Sequence, residues 1–138
     1  MSSVLDALGY DVIGAAFNVR KNTGRGLLEK FYESALVYEL KHMGHRAESQ
    51  VAIPALYCGV EIQEAYRADI VVDNKVIIEV KARASMDDHQ TCQLHTYLKL
   101  SGMRLGYLIN FGALDFSIGN LEDQVPYNKG IYRMVNGY

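Results

Sequence analysis

Residues 67–81 read Arg67-Ala68-Asp69-Ile70-Val71-Val72-Asp73-Asn74-Lys75-Val76-Ile77-Ile78-Glu79-Val80-Lys81. Two runs of β-branched residues flank the turn-forming Asp73-Asn74, which predicts two strands joined by a tight turn. The loop length decides where the charges go, because opposed residues of an antiparallel pair project from the same face. A two-residue loop, Asp73-Asn74, would set Asp69 opposite Ile78, put Asp69 and Glu79 on opposite faces and scatter the apolar side chains. A three-residue loop, Asp73 to Lys75, sets Asp69 opposite Glu79 and gathers Asp69, Glu79 and Lys81 on one face. It also gathers Ile70, Val72, Val76, Ile78 and Val80 on the other, so burial favours this register.

Two carboxylates about 5 Å apart across a strand pair repel unless something cationic lies between them. A divalent ion resolves the conflict, and a set of hard oxygen ligands suits Mg²⁺ or Mn²⁺. Lys81, two residues past Glu79 on the same face, is then placed to offset developing charge or to orient an attacking water. On spacing alone the alternative stays open: a solvated face on which Asp, Glu and Lys make a weak ion pair.

Outward from this stretch, the period of two extends back over Ala47–Tyr57 and Val60–Val72, separated by Cys58-Gly59, and forward over Lys75–Ala82, which predicts a strand meander. Before it, Val12–Val19 is a short helical stretch ended by the Asn22–Gly26 turn cluster, and a second helix starts near Gly26, with Leu28, Phe31, Ala35 and Tyr38 on its core stripe. After it, Ser85 and Asp88 form a weak capping box for a helix to Leu100, closed by Gly102. Leu105–Phe111 has the nearly all-apolar character of a strand buried on both faces, Gly112–Lys129 reads as loop, and Ile131–Val135 as a closing edge strand. The order predicts an α/β (α+β) class, a mixed sheet covered by helices, in one domain over residues 1–138.

Composition narrows the function classes. With 138 residues, 49% of them hydrophobic and 22% charged, the chain can bury a core without disulfide or metal staples. Fourteen Lys plus Arg against sixteen Asp plus Glu exclude a generally cationic nucleic-acid coat protein but leave room for a local basic groove. Cys58 and Cys92 are too few and too far apart for a disulfide framework, and Met1–Leu8 has no basic, apolar leader pattern, so the expected location is the cytoplasm, away from membranes. Gly24-Arg25-Gly26 lacks the Lys-Ser/Thr of a phosphate loop, and His42-x-x-His45 reads as a pair of surface residues.

Two helices add polar groups. Glu29 and Tyr32 share a face one turn apart, with Gly26 at the helix start, and His89, Gln93 and Tyr97 form a polar stripe beside Leu94 and Leu98. Gly26-Leu27-Leu28-Glu29-Lys30-Phe31-Tyr32 reads as G-x-x-E-x-x-Y. With Ile13–Phe17, Tyr66-Arg67-Ala68-Asp69, Glu79-Val80-Lys81-Ala82, Gln93-x-x-x-Tyr97 and Gly106–Gly112, the chain resembles, over nearly its whole length, the GxxExxY protein family, a small branch of the PD-(D/E)XK nuclease superfamily.

The resemblance implies a restriction-endonuclease-like fold and a metal-dependent phosphodiesterase site. Asp69 matches the superfamily's motif Asp, although Ala68 stands where Pro is usual, and Glu79 with Lys81 matches its E-x-K. Glu29 matches the acid many members contribute from the first core helix, and Gln93 with Tyr97 resembles the Q-x-x-x-Y motif that borders the site and contacts the substrate strand. The expected reaction is hydrolysis of nucleic-acid phosphodiesters, with DNA the expected form. Asp69, Glu79, Glu29 and the carbonyl of Val80 would ligate Mg²⁺ or Mn²⁺, Lys81 would position water, and Gln93, Tyr97, Tyr32 and Arg67, with Arg83 and Lys30, would contact the strand. The acidic balance motivates an alternative, a catalytically silent binding or assembly module acting with a partner protein. It also motivates a homodimer, for which Phe116, Tyr127, Tyr132 and Tyr138 are candidate interface aromatics.

Overall fold

A computed structural model describes residues 3–136; Tyr138 therefore lies outside the described residues. The elements run α1 (Ser3–Thr23), α2 (Glu29–His42), β1 (Ala47–Tyr57), β2 (Val60–Val72), β3 (Val76–Lys81), α3 (Asp88–Ser101), β4 (Leu105–Asn110), β5 (Asp115–Ile118) and β6 (Lys129–Val135). The strands form one six-stranded mixed sheet in the order β1-β2-β3-β4-β6-β5. β3 and β4 are parallel, joined by α3, and β5 is parallel to β6.

The central prediction about loop length holds: Val72 pairs with Val76 and Ile70 with Ile78, so three residues, Asp73 to Lys75, make the turn. Asp73 and Asn74 take left-handed backbone conformations there (φ 52° and 55°), which Asp and Asn tolerate better than most residues. The apolar faces follow. Ile70, Val72, Val76, Ile78 and Val80 pack with Leu8, Val12, Val19, Leu36 and Leu40 of α1 and α2. On the opposite face, Val71, Ile77 and Leu108 pack with Leu94 and Leu98 of α3. Gly106 of β4 lets α3 lie close, since a Cβ there would come within 3.0–3.2 Å of the Leu94 and Leu98 methyls.

Several boundaries differ from expectation for identifiable reasons. α1 extends to both sides of Val12–Val19, its buried stripe beginning at Leu8. α2 begins at Glu29 because Gly24 and Gly26 hold left-handed backbones and Leu28 is extended. The cap of α3 is Asp87, paired with Gln90, because Met86 is drawn into an extended bridge with Tyr127 that keeps Ser85–Met86 out of the helix. β6 is an inner strand: β5, a short strand with no strong apolar pattern, lies outside it within the stretch read as loop. Tyr127 and Tyr132 are core residues, and Phe116 stacks on Phe111, so these three aromatics are local packing and offer no free interface. His45 is half-buried between Asp11 and Asp73 and is no surface residue. Cys58 and Cys92 are free and exposed. Among the described residues, no helix is long and apolar enough to cross a membrane.

Candidate active site

β2 and β3 separate at Asp69. Their pairing runs from the turn to Ile70 and Ile78 and, one step further, would place Asp69 across from Glu79. There the Asp69 side chain takes over from the backbone ladder: its Oδ2 accepts the Val80 N–H at 2.8 Å. That bond fixes the carboxylate beside the strand carrying Glu79, with the alternation of β3 putting Lys81 on the same face as Glu79.

Glu79 is 4% exposed, and its Oε1 is buried with no hydrogen-bond partner. Burial pushes its carboxyl up to about 9; the Asp69 charge and a hydrogen bond to the Asp69 side chain push the same way, against weaker pulls from Lys81 and the Asp69 backbone. A buried carboxylate oxygen left without a partner is costly, so its environment calls for a proton or a cation.

α3 supplies the wall above this pair. Tyr97 stacks on Tyr66 with ring centroids 3.6 Å apart, and the Tyr66 hydroxyl donates to the Tyr97 carbonyl at 2.8 Å. Burial, then the charges of Glu79 and Asp69, raise the Tyr97 hydroxyl's pKa, while a hydrogen bond with Gln93 lowers it. Gln93, Tyr97, Asp69 and Glu79 are thus brought to one neighbourhood. The floor is Asn110, which is fully buried: its Oδ1 accepts from the Arg83 and Gly112 N–H groups and its amide donates to the Arg83 carbonyl. Gly112 is required there, since a Cβ would lie 2.5 Å from the Arg83 carbonyl oxygen. Together they hold the chain that leaves Lys81.

A further acid approaches from α2. Glu33 is buried, with Lys30 Nζ 3.2 Å from Oε2 and Gln50 Nε2 donating to Oε1 at 2.8 Å. Gln50 also reaches Asp69 Oδ1 at 3.4 Å.

A family model of the PD-(D/E)XK nuclease superfamily matches residues 6–120. The chain belongs to the PD-(D/E)XK nuclease superfamily. Its six-stranded mixed sheet between α1/α2 and α3 is the restriction-endonuclease-like architecture. No curated protein and no solved structure matches the chain.

Measured against that superfamily, the expected residues divide. Glu29 sits exposed at the first position of α2, and the buried acid of that helix is Glu33, one turn on. Tyr32 is core: its hydroxyl donates to the Gly24 carbonyl at 2.8 Å and accepts from Leu27 N–H, and its ring stacks on Phe111. Arg67 is exposed, paired with Glu64 and bonded to the Gln50 carbonyl at 2.9 Å. Val80 buries its side chain against α1 and α2 and commits its N–H to Asp69.

The unpartnered Glu79 oxygen beside Asp69 fits a divalent cation of the kind PD-(D/E)XK nucleases usually use. Among the described residues, no three His, Cys, Asp or Glu side chains converge to hold a metal ion by themselves, so the expected convergence of Asp69, Glu79 and Glu29 is not found. Water, a backbone carbonyl or substrate oxygens would complete the shell, as is usual for Mg²⁺.

Sequence reasoning missed Glu33, Gln50 and the partnership of Asn110 with Arg83. The core stripe expected on Leu28, Phe31, Ala35 and Tyr38 is not the buried one: Leu28, Phe31 and Tyr38 are exposed, and Tyr32, Glu33, Leu36 and Leu40 face inward, so the signal for Glu33 was its spacing of three and seven from Leu36 and Leu40. Gln50 carried none.

Proposed function

We propose that this protein is a metal-dependent nuclease that hydrolyses nucleic-acid phosphodiester bonds, with DNA the expected substrate and Mg²⁺ or Mn²⁺ the cofactor. The observation that carries this reading is the buried, unpartnered Glu79 carboxylate oxygen next to Asp69. Asp69 and Glu79 would hold the ion, with the Val80 carbonyl a further donor; when bound, it would supply Lewis-acid activation of the phosphate and of water. Asp69 is oriented for this by the Val80 N–H. Lys81 would position the attacking water and offset the charge that develops on phosphate oxygens. Gln93 and Tyr97, on the wall above the carboxylates, would contact the strand. Arg83, Lys30 and Arg25, whose Nε bonds the Gly112 carbonyl at 3.1 Å, would supply a local basic rim on a chain of net charge −2.

Cleavage of single- and double-stranded DNA and RNA with Mg²⁺ or Mn²⁺ tests the proposal. Lys81→Ala is expected to lower the rate by roughly 10²–10³-fold, the usual cost of removing one group that stabilises transition-state charge. Asp69→Ala is expected to lower it at least as far. Wild-type rates in either variant would sink the assignment, and metal binding without cleavage of any substrate would favour a silent binding module.

A further inference from the structure

Gln50 adopts an unusual backbone for the middle of a strand, φ 53°, although it is not glycine. Such conformations persist where the surroundings over-determine them, and they cluster at functional sites. Here the surroundings are visible. The Gln50 carbonyl is held by Arg67 Nη1 at 2.9 Å. Its side-chain amide donates to Glu33 Oε1 at 2.8 Å and reaches Asp69 Oδ1 at 3.4 Å. The pairing of Ser49 with Ile70 and Val51 with Ala68 puts Gln50 across from Asp69, so Gln50, Asp69 and Glu79 lie in one row across β1, β2 and β3.

The chemistry of the amide suits this place. Both Asp69 oxygens are addressed by N–H donors, Oδ2 by Val80 and Oδ1 by Gln50, and neither donor carries a positive charge that would repel a cation. The nearby ammonium, Lys30, is held on the far oxygen of Glu33. Glu33 is itself 4% exposed and anchors the amide from α2.

We propose that Gln50, anchored by Glu33, is a positioning residue that holds the Asp69 carboxylate beside Glu79 for a divalent cation. This rests on the proposed metal-dependent reading of the site. Groups that hydrogen-bond a metal-ligating carboxylate set its orientation, and removing them weakens metal affinity without removing a ligand.

Calorimetric titration of the folded protein with Mn²⁺, alongside thermal melts without metal, tests this with no reference to cleavage. Gln50→Met keeps the length of the side chain and loses its donors; it is expected to melt near the wild-type temperature and to bind Mn²⁺ roughly ten- to a hundredfold more weakly. Gln50→Ala serves the same purpose should Met fail to fold. Glu33→Gln keeps an oxygen that can accept from Gln50 and is expected to stay within a few-fold of wild type, whereas Glu33→Leu is expected to weaken binding like Gln50→Met. A Gln50→Met protein with wild-type Mn²⁺ affinity overturns the inference and leaves the nuclease reading standing. Loss of affinity in Glu33→Gln as deep as in Glu33→Leu would make Glu33 a ligand and also overturn it. A wild-type protein that binds no Mn²⁺ removes both.

Discussion

At the turn end of β2 and β3, Asp73 meets Asp11 of α1 across the His45 imidazole, each ring nitrogen 2.7 Å from a carboxylate oxygen. At the open end, Asp69 meets Glu79, and among the described residues neither carboxylate has an ion pair. An acidic couple therefore lies at each end of this strand pair, one closed by a side chain and one left open. Burial opposes charge on His45, but its bonds to Asp11 and Asp73 outweigh that and raise its pKa. Burial likewise works against ionised Asp73, and the Arg46 N–H and His45 outweigh it, so its pKa falls. At Glu79 the balance tips the other way, toward a protonated acid near neutral pH. The first couple is compensated within the chain, whereas the second leaves Glu79 to be satisfied by a proton or a cation.

Changing Glu79 should break this contrast most strongly. Its folded pKa lies above its ordinary value of 4.5, so the stability owed to its proton is complete below about 4.5 and is lost as pH rises toward about 9. Over that window metal-free wild type should lose up to about 1.4 kcal/mol per pH unit relative to Glu79→Gln. Paired denaturant titrations at pH 5 and pH 8.5 measure it; parallel curves for the two proteins would refute the assignment. Next in size is the effect of the ion itself. Mn²⁺ held at a hundred times its pH 8 Kd should stabilise wild type by about 2.7 kcal/mol at pH 8, should stabilise it less at pH 5 at the same concentration, and should not stabilise Asp69→Ala. Equal stabilisation of both, followed by calorimetry, would place the ion elsewhere. The smallest change is expected at the closed couple. His45→Gln should cost about 1 kcal/mol, because the pair is partly solvent-screened. Because His45's folded pKa is raised, its charged contribution is complete below about 6.5 and fades as pH climbs through the folded pKa, so the loss should be larger at pH 6 than at pH 9. A loss independent of pH would mean that the imidazole acts by packing alone.

Much of this arrangement was legible in residues 67–81. Side-chain alternation and burial select one turn length, and that turn length forces Asp69 toward Glu79. Those rules are local and admit few alternatives. Glu29 shows where local rules stop. The G-x-x-E-x-x-Y pattern draws attention to it, but which acid of α2 turns inward depends on how the helix rolls against β1 and β2, and that roll brings in Glu33. Gln50 lies further out of reach, because its side chain is aimed by a left-handed residue within a strand, which no alternation rule anticipates. β5 escaped notice because its half-exposed Asp115–Ile118 lacks an apolar period and owes its extension to β6.

The parallel pairing of β3 with β4 has a consequence for the order of assembly. Those strands can align only after the chain has gone out through α3 and returned, and closing such a loop costs entropy before any contact repays it. Gln50, Asp69, Glu79, Tyr97 and Asn110 each come from a different strand or helix, so no single hairpin or helix contains the carboxylate neighbourhood entire. Asp69 and Glu79 meet within the β2–β3 hairpin, at the end away from its turn, whereas Gln50, Tyr97 and Asn110 reach them only from β1, α3 and β4.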